Sequence, residues 1–187
     1  MDVRQWLVDR GADAVAHPGG TLFAHLNRVH DRLAAHGCAE EVCRAGLTHA
    51  AYGTEGFPVV LLDPTERAAL RAVVGPAAEE QVYRYGGCDR GRTWRALGET
   101  LLIRNRFTGH VESPTPAELR AFVDLSIVNE LDVAEHDPAV VAKHGDYFRD
   151  IFESWAALAS PAVVDDFRTV LYQVPARRTR QGRPSGS

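Results

Sequence analysis

The helix starts restrict this chain more than any other feature. Thr115-Pro-Ala-Glu118 is a capping box: a threonine to accept from an orphan amide, a proline at the first helical position and a glutamate that reaches back. Asp63-Pro-Thr-Glu66 has the same form. Asp137-Pro138 and Ser160-Pro161 open further helices, and Thr21 can cap another that stops at Gly37. Apolar residues follow these starts at three- and four-residue spacing. Leu22, Leu26, Val29 and Leu33 form one stripe, and Leu119, Phe122, Val123, Ile127 and Leu131 a second. A third holds Val141, His144, Phe148, Ile151, Phe152 and Trp155; Val163, Val164, Phe167, Val170 and Leu171 make a fourth. Helices are also expected over 2–14 and 39–52, from Asp63 to Gly75, and from Pro76 to about Tyr85. Cys88-Asp-Arg-Gly-Arg92 reads as a loop, and Thr100–Phe107 with His110–Glu112 carries the hairpin signal. The expectation is an all-α fold: one domain over 1–174, of seven to eight helices with at most one small β-hairpin.

Composition supports a packed domain. A chain of 187 residues, 45% hydrophobic and 25% charged, can bury a continuous core. A net charge of −4 offers no basic surface for nucleic acid or anionic membrane. No apolar run reaches membrane-spanning length, and the charged start MDVRQWLVDRG does not read as a signal peptide. Cys38, Cys43 and Cys88 are an odd set without CxxC spacing, which suits reduced thiols and a cytoplasmic protein. Residues 175–187, PARRTRQGRPSGS, lack apolar anchors and are expected to be a disordered basic tail.

The chemistry concentrates between His17 and Phe57. His25 lies three residues after Leu22 and four before Val29, so it shares an apolar stripe. His49 shares a face with Val42, Ala45 and Gly46, and the two small residues allow the helices to approach closely. The pattern implies two imidazoles facing one cavity, with Tyr52-Gly-Thr-Glu-Gly56 as its rim. His49, Glu55, Tyr52 and His30 are the candidate acid–base residues. His17, Thr54, Arg90 and Asn129 are candidate substrate contacts, and His25, His49 and Asp124 can supply three ligands to a divalent metal. Asp124 and Asn129 are alternatives for the late-helix position, since the register of VDLSIVNELD admits either.

HLNRVHDRLAAHG around His25, AGLTHAAYGTEG around His49 and VDLSIVNELD resemble the HD-domain superfamily of metal-dependent phosphohydrolases and diiron oxygenases, over about residues 20–135. In that superfamily the second histidine is followed by an aspartate; here residue 50 is alanine. The resemblance implies an HD-like helical scaffold, a divalent metal (Fe, Mn or Zn) and hydrolysis of a small molecule. The alanine leaves two other readings open. One is a metal-free acid–base enzyme, a lyase, isomerase or cyclase of secondary metabolism. The other is a non-catalytic ligand-binding protein. A diiron oxygenase would need further ligands from His17, His30 or His144.

Overall fold

The computed structural model describes residues 2–57 and 59–173. Among these the chain forms α1 (Val3–Val8), β1 (Ala16–His17), β2 (Gly20–Thr21), α2 (Leu22–Ala35), α3 (Glu40–Thr48), α4 (Arg67–Val74) and α5 (Pro76–Gly87). It continues with α6 (Arg90–Thr100), β3 (Ile103–Arg104), β4 (Val111–Glu112), α7 (Pro116–His136), α8 (Pro138–Trp155) and α9 (Pro161–Gln173). The fold is all-α, with two strand pairs of two residues each, β1–β2 and β3–β4, both antiparallel. The tail expected over 175–187 lies outside the described residues.

Helix α7 is the hub. It packs against α2, α3, α5, α8 and α9, and every residue from Ala121 to Asp132 is buried. A helix covered on all sides can carry polar groups only where partners meet them. Asp124, Ser126, Asn129, Glu130 and Asp132 are buried there, and each finds such a partner. Ser126 Oγ bonds back to the carbonyl of Phe122. Asp124 accepts from the backbone amide and hydroxyl of Ser160, at 2.8 and 2.6 Å, and so ties down the start of α9. Asn129 and Asp132 meet His25, and Glu130 bonds to Asn129 and Arg90.

Most helix starts behave as their chemistry dictates. Thr115 accepts from the amide of Glu118 while Glu118 bonds back to Thr115, completing the capping box. Thr21 caps α2 and Asp137 caps α8. Elsewhere the structure corrects the expectation. The first helix ends at Val8 rather than residue 14, and Ala14 is exposed. Asp63 accepts from the amide and hydroxyl of Thr65, so it closes a local turn and α4 begins only at Arg67. Residues 88–92, read as a loop, open α6 because Asp89 accepts from the amide of Arg92 and caps it. Helix α3 stops at Thr48, since the Ala51 carbonyl is taken by the amides of Leu61 and Leu62 instead of a fourth helical turn.

Candidate functional site

Two close approaches bring the histidines together. Gly46 in α3 lies against α2: a Cβ there would stand 2.5 Å from Leu33 Cδ1. That contact lets the end of α3 carry His49 up to His25. The turn between β1 and β2 then lays the ring of His17 on His25, with centroids 4.0 Å apart and planes 24° from parallel. Edge-on, His49 meets His25 at 5.2 Å and Tyr85 at 5.2 Å.

The hydrogen bonds assign the ring nitrogens. His25 Nδ1 lies 2.6 Å from Asp132 Oδ2, and a carboxylate only accepts, so Nδ1 carries a proton. Arg28, one turn after His25, holds the same carboxylate through Nε and Nη2 at 2.7 and 2.9 Å. His49 Nδ1 donates to the Gly46 carbonyl at 2.8 Å, which leaves its Nε2 with a lone pair. Asn129 Nδ2 donates to Glu130 Oε1 at 3.0 Å, so the amide oxygen is the atom turned to His25. His25 Nε2 therefore faces two acceptors: Asn129 Oδ1 at 3.0 Å and His49 Nε2 at 3.4 Å.

Burial sets the charge states around this point. Burial first, then neighbouring His25, pushes His49 down from 6.5 to about 3. The same two causes push His17 down to about 4. Both rings are neutral at neutral pH. Burial works against ionising Asp132, but hydrogen bonds from His25 and Arg28 hold its carboxyl well below the ordinary carboxylate range. Burial pushes the Cys38 and Cys88 thiols up to about 12, so both stay protonated at neutral pH.

The imidazoles form part of the lining of a cavity of about 460 Å³. Leu22, Phe57, Trp94, Val133, Tyr147 and Phe148 give it an apolar wall, and Thr54, Glu55, Arg90, Glu130 and His144 add polar groups. Arg90 is anchored inside the wall: Nη1 donates to Glu130 Oε1 at 2.9 Å and Nη2 to the Tyr85 hydroxyl at 2.7 Å. Its backbone amide donates to Glu55, which pins the rim loop to the start of α6.

The structure thus gathers His17, His25, His49, Thr54, Glu55, Arg90 and Asn129 at one cavity. It takes three expected members elsewhere. Asp124 is committed to Ser160 and does not meet His25 or His49; Asn129, five residues on, occupies the late-helix position instead. Tyr52 points away and donates to fully buried Glu79 at 2.9 Å. His30 bonds to Asp31, an exposed carboxylate outside the cavity. Sequence reasoning missed Asp132, Arg28 and Glu130. Their signals were present: Asp132 follows Asn129 by three residues and Arg28 follows His25 by three, so each pair shares a helix face.

Among the described residues no three His, Cys, Asp or Glu groups are arranged to hold a metal. Any triad of acceptors here must include the Asn129 amide. A family model described as "Domain of unknown function (DUF6817)" matches residues 6–90, from within α1 to the first residue of α6. No curated protein and no solved structure matches the chain.

Proposed function

We infer that the chain is a small-molecule enzyme of hydrolase type, with His25 Nε2, His49 Nε2 and Asn129 Oδ1 as its reacting centre. One observation carries the reading: His25 Nε2 has an acceptor lone pair facing it from each of two residues, at 3.0 and 3.4 Å. Acceptors are left turned on one another only where a positive centre satisfies them. A divalent ion of the Zn, Fe or Mn class fits this donor set. Each ligand is fixed from behind, as ligating groups are: His25 by Asp132, His49 by the Gly46 carbonyl and Asn129 by Glu130. The 3.4 Å between the two imidazole nitrogens matches the ligand–ligand edge of about 3.4 Å expected for tetrahedral bonds of about 2.1 Å, while the 3.0 Å between His25 and Asn129 is shorter than that edge. When bound, such an ion supplies a lowered pKa for water and polarises a carbonyl or phosphoryl oxygen.

The chain's own groups do the rest. Asp132 and Arg28 lock the His25 ring, while burial keeps His49 neutral and so available as a ligand or acceptor rather than as a strong base. Glu55 at the rim is the group we assign to accept a proton from water. The hydrolase class itself comes from the resemblance to the HD-domain superfamily, and Ala50 in place of the usual aspartate argues for a weaker ion site than that superfamily has. A second reading has its own support. At 3.0 Å the His25–Asn129 pair has hydrogen-bond length, so a second proton on His25 can replace the ion and the centre then works by acid–base chemistry alone.

Metal titration of chelator-treated protein separates the two. One Zn²⁺ or Mn²⁺ per chain, lost in His49→Ala and Asn129→Ala with the fold intact, supports the ion. No uptake, with His25 doubly protonated by ¹⁵N NMR, supports the proton. Full hydrolytic activity in folded His25→Ala and His49→Ala would remove the site altogether.

A further inference from the structure

The polar groups of the cavity also indicate what kind of molecule it takes. A site built for a phosphate or other strong anion presents unpaired guanidinium or ammonium groups. Among the described lining residues Arg90 is the sole arginine or lysine, and it is already used. Its two terminal nitrogens donate to Glu130 and to the Tyr85 hydroxyl, while its guanidinium carbon stands 4.8 Å over the Trp94 ring. Glu130 balances its charge. Glu55 then leaves one carboxylate with no cationic side-chain partner among the described residues, bonded at the rim to the Arg90 backbone amide. That carboxylate stands at the start of α6, where an incoming anion would otherwise find free amides.

The remaining wall is apolar. Phe57, Trp94, Val133, Tyr147 and Phe148 surround the space in front of the imidazoles. An anion entering here would lose its hydration, find no unpaired arginine or lysine among the described lining residues and approach the Glu55 carboxylate, the ion bound at the imidazoles being the one positive centre left to it. An uncharged apolar body loses only unfavourable hydration, at a gain of about 25 cal/mol per Å² buried.

Resting on the reading of this cavity as the reacting site, we propose that its substrate is an uncharged, largely apolar molecule with a single polar head directed at His25, His49 and Asn129, and not a phosphoester. This reverses the substrate class that the superfamily resemblance implies. The reversal comes from Glu55 and Glu130 and from the pairing of Arg90.

The test uses 2-naphthol and 2-naphthyl phosphate, which share one ring system and differ in charge. Each is titrated into the full-length protein, chelator-treated and Zn²⁺-loaded, and followed by ¹H–¹⁵N shift changes at the amides of Ala50, Gly91 and Val133. The expected result is saturable binding of 2-naphthol at least tenfold tighter than that of the phosphate in both states, with no release of inorganic phosphate. Glu55→Gln is expected to narrow the gap by tightening the phosphate. Equal or tighter binding of the phosphate, its hydrolysis, or absence of 2-naphthol binding overturns the proposal. Metal uptake is read on the same samples. A chain that binds 2-naphthol but takes up no ion defeats the metal reading and leaves the substrate class standing.

Discussion

Asp132 governs His25 through a single bond, so the ring's orientation and tautomer depend on a residue that does not line the cavity. The Asp132 carboxylate is buried between His25 and Arg28. Removing one member of such a group leaves the others without their counter-charge. Asp132→Asn is therefore expected to cost about 3 kcal/mol in denaturant unfolding and to shift the His25 ring ¹⁵N resonances; a change confined to either readout would contradict the assignment. The neutral histidines predict a second effect. Folded His49 sits at about 3 and His17 at about 4, against 6.5 for the ordinary ring. Between those values the unfolded chain binds protons that the folded chain refuses, so stability falls as pH drops from about 6.5 towards 3. For fully buried His49 the loss by pH 5 is about 2 kcal/mol. In chelator, His49→Gln should flatten the pH 7 to pH 5 decline by about that amount; an unchanged slope would mean that His49 is not neutral by burial. The sequence revealed His25 and His49 because both lie on apolar stripes. It could not orient Tyr52 or His30, since a turn and a stripe edge each allow two directions.

Helix approaches, more than helix ends, decide where the site residues arrive. At Gly46 a new Cβ meets the end of the Leu33 side chain at 2.5 Å, a contact that a rotamer change can relieve. At Gly98 in α6 it meets the backbone oxygen of Ser154 in α8 at 2.6 Å, and a backbone cannot move aside so easily. Gly98→Ala is thus expected to destabilise by about 2–3 kcal/mol and Gly46→Ala by about 1, measured by chemical denaturation. The reverse order would mean that α6 and α8 are free to separate. Of the elements, those with a cap and a long stripe were legible: α2, α7, α8 and α9. Helix α6 was not, because one glycine and three arginines among its first six residues hide its stripe of Thr93, Trp94 and Leu97. The β1–β2 turn, which stacks His17 on His25, left no strand signal. Two-residue strands carry too few side chains to leave a period in the sequence.

Across the whole molecule the site is split between halves of the chain. The segment matched by the family model, 6–90, contributes His17, His25, His49 and the rim. Every side chain that fixes the reacting centre from α7 lies beyond it: Asn129, Glu130 and Asp132. Burial is divided in the same way. Helices α2, α3 and α5 rest on α7, so Leu26, Val29, Ala45 and Val82, all fully buried, belong to a core that needs the second half. A chain cut after β4 would expose that apolar surface while keeping Asp132's partners His25 and Arg28 without their carboxylate. Such a fragment, residues 1–112, is expected to lack a cooperative unfolding transition and dispersed amide resonances, and to regain both when residues 113–187 are added in trans. A fragment that melts cooperatively alone would show that the matched segment is a domain in its own right.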